Sequence, residues 1–217
     1  EANQFTDTVV ELVLKPDNIP LRFQPGQYAY VSFLDGSVDP EAHPFSFSNA
    51  NNGPYLRFTV KSLGDDTKDF HSLQAGTKAL IEGPYGTFSY KRIKNTKQVW
   101  IAGGVGITPF LSMARSFGSK QPHEVRFFYG TESLHEAVFL QEFIDVSRHL
   151  PDNFTAQVVA KNTSGFITID LLKDSLDDLQ TVDYMICGPP GMMKALAAGL
   201  RKAGVPADQI HSEAFSM

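Results

Sequence analysis

The run Ile101-Ala102-Gly103-Gly104-Val105-Gly106-Ile107-Thr108-Pro109-Phe110 carries residue types suited to holding an anion. Gly103, Gly104 and Gly106 let backbone amides approach a pyrophosphate, and a helix opening near Pro109 would turn its positive end toward it. Thr108 has an N-cap side chain, and Pro109 suits the first helical position, where a missing N–H costs nothing. Pro109 also stands where the full dinucleotide fingerprint has a third glycine, so a purely structural glycine bend remains open. A second punctuated strand end is Cys187-Gly188-Pro189-Pro190-Gly191. Cys187 by itself reads as a small buried hydrophobe. Ligands of open α/β sheets bind at the carboxyl edge of the strands, and two such turns on one edge point to a nucleotide site.

The elements that must position these turns fall into two textures. Up to about Arg92, short alternating or aromatic-rich runs are separated by Gly, Pro, Asn and Asp. Among them are Phe5 to Leu14, Tyr28 to Phe33, Tyr55 to Val60 and Lys78 to Ile81. Such runs predict an antiparallel β-barrel or sandwich. A short helix after Thr67 would carry Phe70 and Leu73 on one face. From Gln98 onward, strands alternate with helices, predicting a doubly wound parallel sheet. Strands are expected at Val99 to Ala102, Val125 to Tyr129, Thr155 to Ala160 and Tyr184 to Cys187. The helices expected between and after them start near Pro109, then run Leu134 to His149, Ile169 to Lys173 and Gly191 to Ala203. The polar segment Lys91 to Lys97 separates the two halves.

Composition narrows the function classes. The 217 residues are 42% hydrophobic and 20% charged, as expected of a folded globular chain. A net charge of −5 argues against general affinity for nucleic acid or anionic membrane, so a phosphate site must be built locally. With one cysteine, neither an internal disulfide nor a thiolate-bound iron–sulfur cluster can form within the chain. No apolar run approaches the roughly 18 residues of a membrane span. No signal segment opens the sequence, and no loop resembles a calcium site. The segment is therefore expected to be soluble. Because it opens with Glu1 and passes at once into a strand-like pattern, it reads either as a piece of a longer protein or as a trimmed domain.

His43-Pro44-Phe45-Ser46-Phe47-Ser48 resembles the flavin-binding strand of the ferredoxin–NADP reductase superfamily. Its His-Pro-Phe stands in place of Arg-x-Tyr, the variant of the NADPH oxidase and ferric reductase branch. Pro25-Gly26-Gln27-Tyr28, Gly64-Asp65-Asp66-Thr67, Gly83-Pro84-Tyr85-Gly86 and the Gly103 to Pro109 turn match in order. The Cys187-Gly188-Pro189 edge and Glu213-Ala214-Phe215 complete the set, so the resemblance covers nearly the whole chain. It implies an FAD-binding β-barrel domain over residues 1–94 and an NAD(P)H-binding α/β domain over residues 95–217. FAD would be the bound cofactor, with NADPH or NADH as the hydride donor.

The resemblance also implies roles. Phe45 would offer a flat apolar face to the isoalloxazine, Ser46 a hydrogen bond near flavin N5, and His43 a hydrogen bond to flavin or phosphate. Pro44 and Ser48 belong to the same cofactor-binding strand. Val60, Lys61, Asp66 and Thr67 correspond to the pyrophosphate region, where Lys61 supplies charge and Thr67 can cap a helix. Asp65 and Asp69 are read as solvent-facing residues near a helix N-terminus. Gly83 and Gly86 would form the bend beneath the flavin, or equally a simple barrel turn. Ser46, Cys187, Glu213 and Phe215 would border the reacting atoms. Phe215 would occupy the nicotinamide site until the dinucleotide displaces it, or else Ile210 to Phe215 is a last strand filling the core. Thr131 and Ser133 could bond a 2′-phosphate, whereas Glu132 stands where many NADPH users carry a cation. Use of both dinucleotides is the expectation.

The implied partners are a haem-bearing transmembrane domain of the same protein, preceding Glu1, with molecular oxygen or ferric iron as final acceptor. The segment would then lie on the cytoplasmic face of a membrane. Two rival readings stay open: a freestanding flavodoxin or ferredoxin reductase, and a non-catalytic flavin- or nucleotide-binding subunit.

Overall fold

The computed structural model describes residues 1–17, 21–34, 36, 38, 40–61 and 69–214. The alternating run at the N-terminus folds back on itself. Strand β1 (Ala2–Thr6) pairs antiparallel with β2 (Val9–Leu14). Asp7 and Thr8 make the turn, in which the Thr8 amide donates to Thr6 Oγ1 at 3.2 Å. A threonine hydroxyl offers the chain this local alternative to a continued ladder. The alternating run from Phe5 to Leu14 thus spans the end of β1, the turn and β2.

Strand β2 pairs onward with β5 (Leu56–Lys61), and β3 (Tyr28–Phe33) lies between β4 (His43–Ser46) and β6 (Ala79–Tyr85), all antiparallel. A bridge between Phe47 and Phe58 joins the two sheets around a core containing Leu12, Val31, Phe47 and Phe58. Phe47 and Phe23 stack there at 4.0 Å. The expected helix after Thr67 starts outside the described residues. Its described part is a 3₁₀ turn, Phe70–Ser72, and Phe70 and Leu73 are both buried.

The second half is a five-stranded parallel sheet ordered β11-β10-β7-β8-β9. Its elements run β7 (Lys97–Gly103), α1 (Thr108–Arg115), β8 (Glu124–Thr131), α2 (Leu140–His149), β9 (Phe154–Ala160), α3 (Lys161–Ser164), α4 (Ile169–Ser175), β10 (Asp183–Cys187), α5 (Pro190–Lys202) and β11 (Ile210–Glu213). Helices cover both faces, so β7 is apolar on both. Trp100 and Ala102 enter one core with Phe110 and Phe127, while Val99 and Ile101 enter the other with Ile186 and Leu200. From β7 the chain winds outward to β9, then returns to lay β10 on the other side of β7. The crevice between the carboxyl ends of β7 and β10 is where such sheets take ligands.

Two local expectations are corrected. Thr108 does not cap α1: a 3₁₀ turn, Gly104–Ile107, runs directly into the helix, and Thr108 is already helical with no side-chain cap bond. The helix expected from Leu134 to His149 is broken. A 3₁₀ turn, Leu134–Glu136, is followed by Phe139 at φ 64°, and α2 begins only at Leu140. Tertiary packing accounts for the break. The buried Phe139 ring meets Phe5 edge-on at 4.7 Å, and the Arg115 guanidinium lies 5.6 Å from its centroid.

Candidate dinucleotide and flavin site

A groove of about 1130 Å³ runs along the carboxyl edge of the parallel sheet. Gly103, Gly104, Thr131 and Pro189 line it from the second half; Thr59, Lys61 and the β1–β2 turn line it from the first. The glycines divide the work. A Cβ on Gly106 would sit 2.4 Å from the Cys187 carbonyl oxygen, so this glycine lets the β7 and β10 turns pack backbone to backbone. Gly103 and Gly188 face each other across the same contact, and Pro189 borders Gly103. Gly104, at φ +53° with nothing within 4 Å of its Cβ position, faces open space and leaves room for a bound phosphate. Thr108 and Pro109 are buried at the start of α1.

The Thr131 hydroxyl supports the fit of a polar ligand. Thr131 lines the groove, yet its Oγ1 is buried and has no hydrogen-bond partner among the described residues. A buried hydroxyl left unpaired is unfavourable unless a ligand or water satisfies it. Ser133 begins the following 3₁₀ turn without capping it. Between them, Glu132 is held by Lys161 at 2.8 Å and 3.0 Å. Lys161 is far from Glu132 along the chain, at the end of β9, and only the pairing of β8 with β9 brings the two together. This arrangement places both a carboxylate and a cation at one mouth of the groove. Lys161→Ala is therefore expected to weaken NADPH relative to NADH by roughly threefold to fivefold, the scale of one exposed ion pair. Steady-state KM values for both dinucleotides check this. Selectivity of the parent above about a hundredfold (roughly 2.7 kcal/mol) would contradict the expected dual use.

The flavin side is organised by register. Across β3 and β4, Tyr28 pairs with Ser46, Ala29 with Phe45, Tyr30 with Pro44 and Val31 with His43. Alternation then puts His43 and Phe45 on one face and Pro44 and Ser46 on the other. Phe45 is half-buried, its ring meeting Phe70 edge-on at 5.8 Å and the His43 ring at 6.3 Å. His43 Nε2 and Ser48 Oγ are buried without partners among the described residues. An orphaned His43 nitrogen beside the half-buried Phe45 ring fits a planar ligand with a hydrogen-bonding edge, whereas Ser48 is fully buried. Val60 points into the barrel core, so its backbone alone is available, and Lys61 lies 3.9 Å from Glu136 of the other half. Asp66, Thr67 and Phe215 lie outside the described residues.

The two halves of the site converge at Gly86. Its Cβ position is 3.1 Å from the Tyr28 ring and 3.6 Å from Glu213 Oε1, while Gly83 packs against Ala29. Glu213 in turn pairs with Cys187 across β10 and β11. Cys187 is completely buried; burial first, and the Glu213 charge second, push its thiol pKa upward. Burial also raises the Glu213 carboxyl. A carboxyl raised in the folded state stabilises the fold at low pH, and that contribution is lost as pH rises through its folded value. Glu213→Gln should then increase Tm at pH 7 by on the order of 1–3 °C, with the gain vanishing as pH falls below the ordinary carboxylate range. Thermal melts across pH measure it.

Among the described residues no group of three or more His, Cys, Asp or Glu side chains could hold a metal, and no helix is long and apolar enough to cross a membrane.

Comparison with known proteins agrees with this geometry. Residues 1–89 match the family model of an FAD-binding domain, and residues 100–198 that of an oxidoreductase NAD-binding domain. A flavohemoprotein of Rhizobium meliloti is 28% identical over 99% of this chain and 59% of its own length. The ferredoxin–NAD(P)+ reductase component of a Ralstonia naphthalene 1,2-dioxygenase/salicylate 5-hydroxylase system is 27% identical over 90% of this chain and 61% of its own. This chain thus spans about three fifths of the length of these curated relatives. Among solved structures, the FAD/NAD-binding domain of the nitric oxide dioxygenase of Vibrio cholerae superposes with a TM-score of 0.80 at 27% identity, covering 99% of this chain and 95% of that one. The chain belongs to the ferredoxin–NADP reductase superfamily, with an FAD-binding domain followed by an NAD-binding domain, the pairing of a flavin-dependent NAD(P)H reductase module.

Proposed function

We propose that this chain takes hydride from NADPH or NADH onto bound FAD and delivers the electrons singly to a haem-bearing transmembrane domain of the same protein, which reduces molecular oxygen to superoxide or reduces ferric iron. The observation that carries the reading is the meeting of Gly86 and Tyr28 from the barrel with Glu213, beside Cys187, at the sheet edge. A nicotinamide held by the turn that follows Cys187 would lie beside that meeting point. FAD supplies the chemistry, since it accepts two electrons together and releases them one at a time. The residues supply position and exclusion of water. Phe45 would pack on the isoalloxazine, Ser46 would hold its N5 edge, and His43 would satisfy a polar group along it. Lys61, with Asp66 and Thr67, would border the pyrophosphate. Gly104, Thr131 and Pro189 would border the dinucleotide, and Phe215 would yield the nicotinamide face.

The His43-Pro44-Phe45 variant favours haem as the acceptor, and the flavohemoprotein relative pairs the same two domains with haem in its name. The membrane setting, on the cytoplasmic face, follows from that branch. A second reading, a freestanding reductase of ferredoxin or flavodoxin, is favoured by the Ralstonia relative, which is named as such a component. The two readings separate in one experiment. The chain is loaded with FAD, reduced anaerobically with NADPH, and mixed in a stopped-flow instrument with a haem protein or with flavodoxin. Faster reoxidation by haem is expected; faster reoxidation by flavodoxin would favour the freestanding enzyme.

A further inference from the structure

We infer that Arg115 is a positioning residue for hydride transfer, tying the exit of the flavin strand to the far end of the helix that opens at the dinucleotide turn. The inference rests on the proposed hydride transfer. Arg115 ends α1, the helix that follows the Gly103 to Gly106 turn. Its Nη1 donates to the Ser48 carbonyl at 2.7 Å and to Glu11 Oε1 at 3.1 Å. Its Nε and Nη2 donate to Glu142 Oε2 and Oε1 at 2.8 Å and 2.7 Å. One turn earlier on the same helix, Ser112 Oγ donates to the Asn49 carbonyl at 2.7 Å. Ser48 and Asn49 directly continue the strand that carries Phe45 and Ser46.

The clasp is anchored on both sides. Glu11, on β2, is only 1% exposed and also accepts from Arg57 Nη1 at 2.6 Å. The guanidinium itself lies over Phe139, whose left-handed backbone opens α2. One rigid, planar fork therefore joins β2, the segment following β4, α1 and α2. A lysine can carry the charge but cannot reproduce four donors in fixed directions. Arg115 does not line the groove, so it acts through the backbones it holds. The distance it would set is that between flavin N5 and nicotinamide C4, and a displacement of about 1 Å at such a gap can slow the step by roughly a hundredfold.

The test uses this chain loaded with FAD, as parent, as Arg115→Lys, and as Arg115→Met combined with Glu11→Gln. The double variant removes the guanidinium without leaving the Glu11 charge buried opposite it. Flavin content, thermal melting and dissociation constants for a non-reducing NADPH analogue are measured first. Anaerobic stopped-flow then gives the limiting rate of flavin reduction at saturating NADPH, and the long-wavelength charge-transfer absorbance of the reduced flavin with oxidised dinucleotide. Expected are flavin and analogue binding within about twofold of the parent, a limiting rate roughly tenfold to a hundredfold lower, and loss of the charge-transfer band. A folded variant reduced at the parent rate would overturn the inference. So would a rate loss matched by lost flavin or analogue binding, or failure of both variants to fold, since each assigns Arg115 a structural role. A parent that binds both cofactors yet is never reduced would instead strike the proposed hydride transfer itself, and the inference with it.

Discussion

Gly106→Ala is expected to destabilise the protein by about 3 kcal/mol or more and to slow flavin reduction sharply in whatever fraction still folds. The added methyl would lie 2.4 Å from the Cys187 carbonyl oxygen, 2.5 Å from its carbon and 2.6 Å from the Gly188 nitrogen. All three are backbone atoms at the end of β10 and in the turn after it, so no side chain can rotate away. Overpacking typically costs about 1–3 kcal/mol when side chains can yield, and a backbone clash belongs at or above the top of that range. To relieve it, the β7 and β10 turns must separate, which shifts both borders of the groove. Gly104→Ala supplies the contrast. Its φ of +53° makes alanine unfavourable by roughly 1–2 kcal/mol, but the methyl meets nothing. Urea denaturation of both variants should rank Gly106→Ala well below Gly104→Ala. The reverse order would mean that the two turns do not pack as described.

Glu11→Ala is the second large effect, with an expected loss of about 2–3 kcal/mol, below the range for a fully buried pair because its partners are partly solvated or paired elsewhere. Glu11 is 1% exposed and receives Arg57 at 2.6 Å and Arg115 at 3.1 Å. Its removal leaves a cavity and takes one acceptor each from Arg57, which solvent can partly reach, and Arg115, which keeps Glu142 and the Ser48 carbonyl. Glu11→Gln should cost less, because the side chain still fills the site and its amide oxygen accepts from one arginine, although its NH2 then faces the other. A chemical denaturation series checks this pair. Equal losses for alanine and glutamine would show that ionic character decides stability there, while negligible loss for alanine would remove Glu11 from the interface.

Much of this architecture is legible in the sequence. Alternating runs punctuated by turns mark the barrel strands, and Val99 to Ala102 or Tyr184 to Cys187 are continuous apolar runs because helices cover both faces of their sheet. Both glycine turns lie on one edge, as their spacing after strands requires. What local pattern hides is set by tertiary contact. Phe139 looks like one more apolar residue of a helix, and its left-handed backbone is fixed by Phe5 and Arg115, distant in sequence. Thr108 has the chemistry of a cap, but the 3₁₀ turn ahead of it moves the start of the helix. Glu11 sits on an alternating strand where an acidic residue reads as outward-facing, and only the approach of α1 buries it. Lys161 becomes a groove residue because β8 and β9 are neighbours. In each case the deciding partner lies on another element.

On the proposed function, a flavin seated along Phe45 is within reach of a nicotinamide held at the β7–β10 crevice. The most direct measurement is the visible absorbance of the FAD-loaded chain under argon, before and after one equivalent of NADPH and, separately, of NADH. Rapid bleaching of the flavin band by both dinucleotides is the predicted result. A band that persists while the protein stays folded and both cofactors remain bound would contradict the account.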